Sequence, residues 1–460
     1  MIGEKNKASF RDPSGFLYSR NGVLFRQINQ SYQEHYEKLM TSGLYADLVK
    51  RESLIPHLET NEEPKDPQLA YKVIQPEKVK FISYPYEWSF GQFKDAALLT
   101  LEVAKRALEY GMILKDASAY NVQYHHGHPI LIDTLSFEIY QEGKPWVAYR
   151  QFCQHFLAPL ALMASVDIRL NQLLRVYIDG VPLDLGSRLL PGKTRLNFGL
   201  LTHLHLHAQA QKRYSGQAIR PTESMGRVSK MAFLGLMDSL EGAIKRLNWQ
   251  PGGTEWAEYY EDTNYSKSAF GEKQEIVKQM LMKVKPASVW DLGANTGIFS
   301  RLACSLGVAT IAFDIDPGAV EINYQEVKKN KEENLLPLVM DLTNPSSAIG
   351  WANQERQGII ERGPADVILG LALIHHLAIS NNLPLEMVAE FFSRTGKWCI
   401  VEFIPKDDSQ VQRLLSSRED IFIDYTQSGF EKAFQEYFNI RDVVQVRDSK
   451  RVVYLFENQK

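Results

Sequence analysis

Residues 289–297 read Val-Trp-Asp-Leu-Gly-Ala-Asn-Thr-Gly and run directly into the apolar stretch 298–306. A strand, a glycine turn and a helix in that order let backbone approach a ligand closely, because Gly293 and Gly297 carry no Cβ. The amides that open the next helix are then expected to face the ligand. Asn295 stands where a further turn glycine would fit, and asparagine tolerates a left-handed backbone. Asp291 ends the strand before the turn. Strand-like runs at 309–313 and 336–340 end in Asp314-Ile315-Asp316 and Asp341-Leu342, and a fourth at 365–370 runs into Leu371-Ala372-Leu373-Ile374-His375-His376. Asp314 falls about twenty residues after Gly293, the distance at which βαβ units offer a carboxylate to ribose hydroxyls. Asp316 is the alternative acid. A fifth run, 398–401, ends in Glu402.

Acids and histidines delivered by neighbouring strand ends suit a nucleotide-like ligand and an acceptor beside it. An open parallel sheet binds ligands along its carboxyl edge. Histidine, with an ordinary pKa near 6.5, suits proton removal, so His375 and His376 are candidate bases. Glu402 could assist them or accept a substrate hydrogen bond. The bland reading of Glu402 is a carboxylate paired with Arg413 or Arg418.

This series resembles the class I S-adenosylmethionine-dependent methyltransferases over residues 255–460. The wording of the segment looks most like bacterial methyltransferases grouped with a nodulation-associated protein. The resemblance implies a Rossmann-like domain with a seven-stranded, mostly parallel sheet. It places Gly293 and Gly297 under the methionine part of the cofactor, Asp314 on the ribose, and Asp341 with Leu342 beside the adenine. It also makes Tyr265, in the lead-in to the domain, a cofactor contact. The implied product is S-adenosylhomocysteine. A nicotinamide or flavin site would want a third glycine three residues past the second, where this chain has Ser300.

The elements that must position these groups fill the carboxyl-terminal part of a chain of 460 residues, 44% hydrophobic, long enough for two domains. A boundary is expected near residue 251, giving an α+β domain over 1–250 and an α/β domain over 251–460. In the first, residues 14–28 predict a hairpin about Asn21-Gly22. Helix is predicted over 31–55 and 92–110, and a strand over 79–84. Asp116 and Asn121 stand five apart, and Asp133 follows at a strand end. That constellation resembles the protein-kinase and aminoglycoside-phosphotransferase fold, and carried over it makes Asp116 the residue that orients a hydroxyl and Asn121 with Asp133 the magnesium ligands. The pattern departs from the family at Arg26, which replaces the phosphate-pairing lysine, and at Thr134-Leu135, which replaces Phe-Gly.

Composition narrows the partners. Fifty-two basic residues against 55 acidic ones leave a formal charge of -3, which gives no global attraction to nucleic acid or anionic membrane. The three cysteines are too scattered for a disulfide framework. With no apolar run long enough to span a bilayer, a cytoplasmic protein is expected. Histidines cluster at 125, 126 and 128 and at 203, 205 and 207. Neither group has cysteine partners, and no metal is expected. The expected activity is methyl transfer to oxygen or nitrogen of a small-molecule or glycan-like acceptor. The rivals are a bifunctional kinase-like methyltransferase and a non-catalytic binder of the cofactor. Nothing in the sequence sets an oligomeric state.

Overall fold

A computed structural model describes residues 4–214, 228–252, 267–416 and 418–459. The chain divides into two compact units. One comprises Met1–Trp249 with Ile349–Arg356, and the other Gln250–Ala348 with Gln357–Lys460. The excursion at Ile349–Arg356 interrupts the second stretch of sequence, and no composition shift announces it. Its Glu355 is buried and accepts from Arg11 at 2.6 and 3.0 Å.

The first unit opens with an antiparallel sheet of β1 (Glu4–Lys5), β2 (Gly15–Arg20), β3 (Val23–Asn29), β4 (His57–Thr60) and β5 (Ala70–Pro76) in the order β1-β2-β3-β5-β4. Asn21 and Gly22 both take positive φ, 52° and 78°, as a two-residue hairpin turn requires. The long helix predicted after it is two, Gln33–Thr41 and Leu44–Lys50, broken by Gly43 at φ 87°. Residues 79–84 are not a strand. The side chain of Gln123 serves that backbone instead, accepting from the Ser83 amide and donating to the Ser83 carbonyl, each at 2.9 Å. Two short ladders follow the helix Phe90–Glu109: β6 (Met112–Leu114) with β9 (Phe137–Ile139), and β7 (Val122–His125) with β8 (His128–Leu131). The remainder of the unit is mainly helical.

The second unit is α/β. Its sheet runs β12-β11-β10-β13-β14-β16-β15, from β10 (Ser288–Leu292), β11 (Ala309–Asp314), β12 (Leu335–Val339), β13 (Ala365–Gly370), β14 (Gly396–Phe403), β15 (Phe438–Gln445) and β16 (Val452–Asn458). The first five in that order are parallel, whereas β16 lies antiparallel to β14 and β15. Strands covered on both faces read as continuous apolar runs, which is why they were visible in sequence. On one face Val277 and Leu281 of the helix Lys267–Val284 and Phe299 and Ala303 of Ile298–Ser305 pack on Val289, Val367, Leu369 and Ile400. Elsewhere Phe392, Phe430, Phe434, Phe438 and Phe456 stack, with Phe434 centroids 4.5–6.0 Å from its neighbours. The chain passes from β10 outward to β12, then crosses to β13 on the other side of β10. In open parallel sheets such a reversal, here at the carboxyl ends of β10 and β13, is where ligands bind. No helix among the described residues is long and apolar enough to cross a membrane.

Phe434→Ala should lower the stability of this unit by about 3–5 kcal/mol, since it empties a fully buried aromatic site. Ile423→Ala, at a side chain 83% exposed, should change it by less than about 0.5 kcal/mol. Chemical denaturation read by fluorescence checks both.

Candidate functional site

The turn after β10 is left-handed at three places, Gly293 (φ 76°), Asn295 (φ 51°) and Gly297 (φ 86°). A Cβ on Gly297 would lie 2.5 Å from the Asn323 side-chain amide nitrogen, which would have to shift, and the left-handed backbone favours glycine there. The expectation of ligand-facing amides needs correction for the turn itself. Gly293 and Ala294 each donate to the Phe313 carbonyl at 2.9 Å, and Gly297 donates to the Ala294 carbonyl at 2.9 Å. The Asn295 amide goes to Asp314 Oδ2 at 2.7 Å, and that of Thr296 to Asn295 Oδ1 at 2.7 Å. The turn satisfies its own donors, and what it presents is carboxylate.

Two acids at adjacent strand ends are buried there. Asp291 accepts from Ser300 Oγ at 2.6 Å, and burial pushes its pKa up to about 7, with the charge of Asp314 adding to the rise. Asp314 also accepts the Asp316 amide at 2.9 Å and is raised by burial to about 6. Asp316 serves the fold, capping the helix Pro317–Asn330 through the Gly318 amide at 2.7 Å. Its second oxygen is buried and has no hydrogen-bond partner among the described residues. Asp341 closes a turn by accepting the amide and hydroxyl of Thr343 at 2.8 and 2.7 Å, and Leu342 beside it is half-buried. Tyr265 lies outside the described residues.

Glu402 is wholly buried at the end of β14. Its Oε2 accepts from Lys273 Nζ at 2.6 Å and from the Ala372 amide at 2.8 Å, while Arg451 stands 3.8 Å from Oε1. Arg451 also donates to both oxygens of Asp408, at 2.8 and 3.2 Å. The sequence expectation of Arg413 or Arg418 as the partner is therefore replaced by Lys273 and Arg451; Arg418 donates to the carbonyls of Ile379 and Ser380. Sequence reasoning missed both cations, yet one left a signal. Lys273 occupies the core stripe Ala269, Ile276, Val277 and Met280 of its helix, where a charge needs a buried partner.

His375 lies near enough to Lys273 and Arg451 to feel their charge. It is 1% exposed, and neither ring nitrogen has a hydrogen-bond partner among the described residues. Burial holds its pKa well below the ordinary value, with His376, Arg451 and Lys273 adding to the depression. His376, its ring centroid 4.1 Å away, is lowered to about 4 by burial. Burial thus favours the neutral form of both imidazoles.

In the first unit Asn121 and Asp133 are joined through Ser136, and the charge of Asp133 is felt at Asp116. Asp116 accepts from the Ser118 amide at 2.9 Å and Gln151 at 2.8 Å. Asn121 donates to Ser136 Oγ at 3.3 Å, and that hydroxyl donates to Asp133 at 2.5 Å. Arg26 of β3 forms an ion pair with Asp133 and helps hold that carboxyl below its usual pKa against the opposing effect of burial. His203 and His205 lie on helix rather than a strand and bond to Tyr149 and Ser239, and to Ser187 and Thr194.

Lys273→Met should cost about 3–5 kcal/mol by leaving Glu402 buried without its cation, and Lys273→Met/Glu402→Leu should recover much of that loss in denaturant titrations. Asp291 gives a pH test. An acid with a raised folded pKa stabilises the native state below its unfolded value of 3.8, and this contribution is lost as pH rises through about 7. Asp291→Asn should flatten the decline in stability over that window, measured as unfolding midpoint against pH.

No known family profile matches the chain. The chain is 34% identical over 460 residues to nodulation protein NoeA of Rhizobium meliloti (strain 1021), covering 98% of this chain and 96% of that protein. Among solved structures, magnesium protoporphyrin IX methyltransferase (ChlM) of Synechocystis PCC 6803 with bound SAH matches 44% of this chain and 93% of its own at 15% identity and a TM-score of 0.32. The N-methyltransferase NodS of Bradyrhizobium japonicum WM9 matches 42% of this chain and 99% of its own at 13% identity and a TM-score of 0.32. The near full-length match to the first of these proteins shows that the chain belongs to the NoeA family.

Proposed function

We propose that the second unit is a class I methyltransferase that moves a methyl group from S-adenosylmethionine to oxygen or nitrogen of a small-molecule or glycan-like acceptor. The carrying observation is the pair of buried carboxylates, Asp291 and Asp314, at the ends of adjacent parallel strands beside a turn that has no amide to offer. The seven-stranded, mostly parallel sheet and the crossing at β10 support the reading. Asp314 accepts two backbone donors and retains lone pairs for a ribose diol, and Asp316 has an oxygen without a partner. These residues fit the cofactor. Asp341 and Leu342 would border its adenine, Gly293 and Gly297 its methionine part, and Tyr265 is carried as a further contact.

When bound, the cofactor supplies an activated methyl on a sulfonium, so the protein's tasks are alignment and removal of a proton. His375 is assigned as the base of the two histidines, because neither of its buried ring nitrogens has a hydrogen-bond partner among the described residues. Glu402 acts as a positioning residue, since its carboxylate is held by Lys273 and the Ala372 amide on the turn that leads to His375. The first unit shapes or recruits the acceptor. A phosphotransfer role has one supporting observation, the linkage of Asn121 to Asp133 through Ser136 with Asp116 near enough to feel the Asp133 charge, and Arg26 opposes it by occupying Asp133.

Calorimetry should show one site per chain for S-adenosylhomocysteine, abolished by Gly293→Arg; absence of binding, or binding intact in that variant, rejects the proposal. With labelled cofactor and a cell extract, His375→Ala should reduce product formation by about 10²–10⁴-fold while product binding persists. A profile of rate against pH should lack the inflection near 6.5 of an ordinary histidine, because both imidazoles stay neutral well below it. ATP with magnesium tests the first unit: nucleotide hydrolysis abolished by Asp133→Ala would make the protein bifunctional.

A further inference from the structure

The β7–β8 hairpin turns at His126 and Gly127, both with positive φ, 48° and 78°. This two-residue turn throws the rings of His125 and His126 to one side, 4.0 Å apart at 66°. Glu77, which follows β5, reaches the same place. Its Oε1 lies 3.0 Å from His125 Nε2 and 3.9 Å from His126 Nε2, and one ligand atom from each of the three residues falls within a sphere of contacts no longer than 4.8 Å. Two ligands bound tetrahedrally at about 2.0–2.1 Å stand about 3.4 Å apart. The two carboxylate–imidazole separations bracket that value. His125 is buried, which fixes one ligand, while His126 and Glu77 are about half exposed and can adjust to an ion entering from solvent.

The geometry points to a divalent-cation site of the zinc class, with Glu77, His125 and His126 as ligands and a fourth position open to water. Two imidazoles and one carboxylate favour zinc, nickel, copper or cobalt over magnesium or calcium, which want oxygen. The bound ion would tie the chain leaving β5 to the β7–β8 hairpin, which the Glu77 carboxylate already meets at His125. The sequence offered the histidines without Glu77, 48 residues away from His125, and the absence of cysteines led to the expectation of no metal.

The test uses the full chain, stripped with chelator and titrated with zinc sulfate by calorimetry. One saturable site is expected, with affinity reduced at least about tenfold in Glu77→Gln and again in His126→Asn. Asparagine retains tolerance for the left-handed turn, so circular dichroism should be unchanged and the loss attributable to the ligand. Zinc should raise the thermal midpoint of the parent chain and leave that of the double variant where it was. Cobalt should give the intense visible bands of four-coordination in the parent only. Absence of saturable binding, or binding and cobalt bands that persist in the double variant, would overturn the assignment, because the chain has eleven histidines and such a result would place the ion elsewhere.

Discussion

Four segments of the second unit meet on one carboxylate. Lys273 comes from the helix Lys267–Val284, Glu402 from the end of β14, the Ala372 amide from the turn after β13, and Arg451 from the residue before β16. None of them is near another in sequence, and Lys273 and Glu402 are 129 residues apart. A lone carboxylate in that place would bear a desolvation penalty of several kcal/mol, and so would the lysine. The penalties are offset only when all the partners are present together, which makes the arrangement nearly all-or-none. Ala372 takes φ 51°, a conformation that costs an L-residue energy, and the Glu402 bond to its amide holds it there. His375 follows three residues later. The ion pair thus acts on the candidate chemistry through the backbone that carries the histidine, without itself facing an acceptor.

The parts that periodicity and local turn chemistry govern were legible. The runs at 309–313 and 365–370 became β11 and β13, and Asn295 adopts the left-handed backbone its type allows. The failures share a physical cause: a side chain distant in sequence did what a neighbouring strand or helix usually does. Residues 79–84 look like a strand because Val79, Phe81, Ile82 and Tyr84 favour one, yet at Ser83 the Gln123 side chain supplies the bonds a ladder would have supplied. The acids at the strand ends could be named from sequence, whereas the cations that pair with Glu402 required the fold. Lys273 on an apolar helical stripe was the trace they left.

The electrostatics of the glycine turn also separate two ligand classes that the turn sequence alone leaves close together. A dinucleotide's pyrophosphate binds such turns through unsatisfied amides and the positive end of the following helix. Here the five amides from Gly293 to Gly297 are engaged within the protein, one of them by Asp314 itself. The carboxyls of Asp291 and Asp314 are buried close enough that the charge of Asp314 raises the pKa of Asp291. An anion placed beside them would increase that repulsion. A ligand bearing hydroxyl donors and a positive charge relieves it, since both features favour the ionised form of acids that burial now disfavours. Binding of such a ligand should release the proton that these carboxyls hold near neutral pH, whereas a pyrophosphate would draw protons in. The sign of proton exchange on binding, measured by calorimetry in buffers of differing ionisation enthalpy, therefore distinguishes a cationic adenosyl ligand from a dinucleotide.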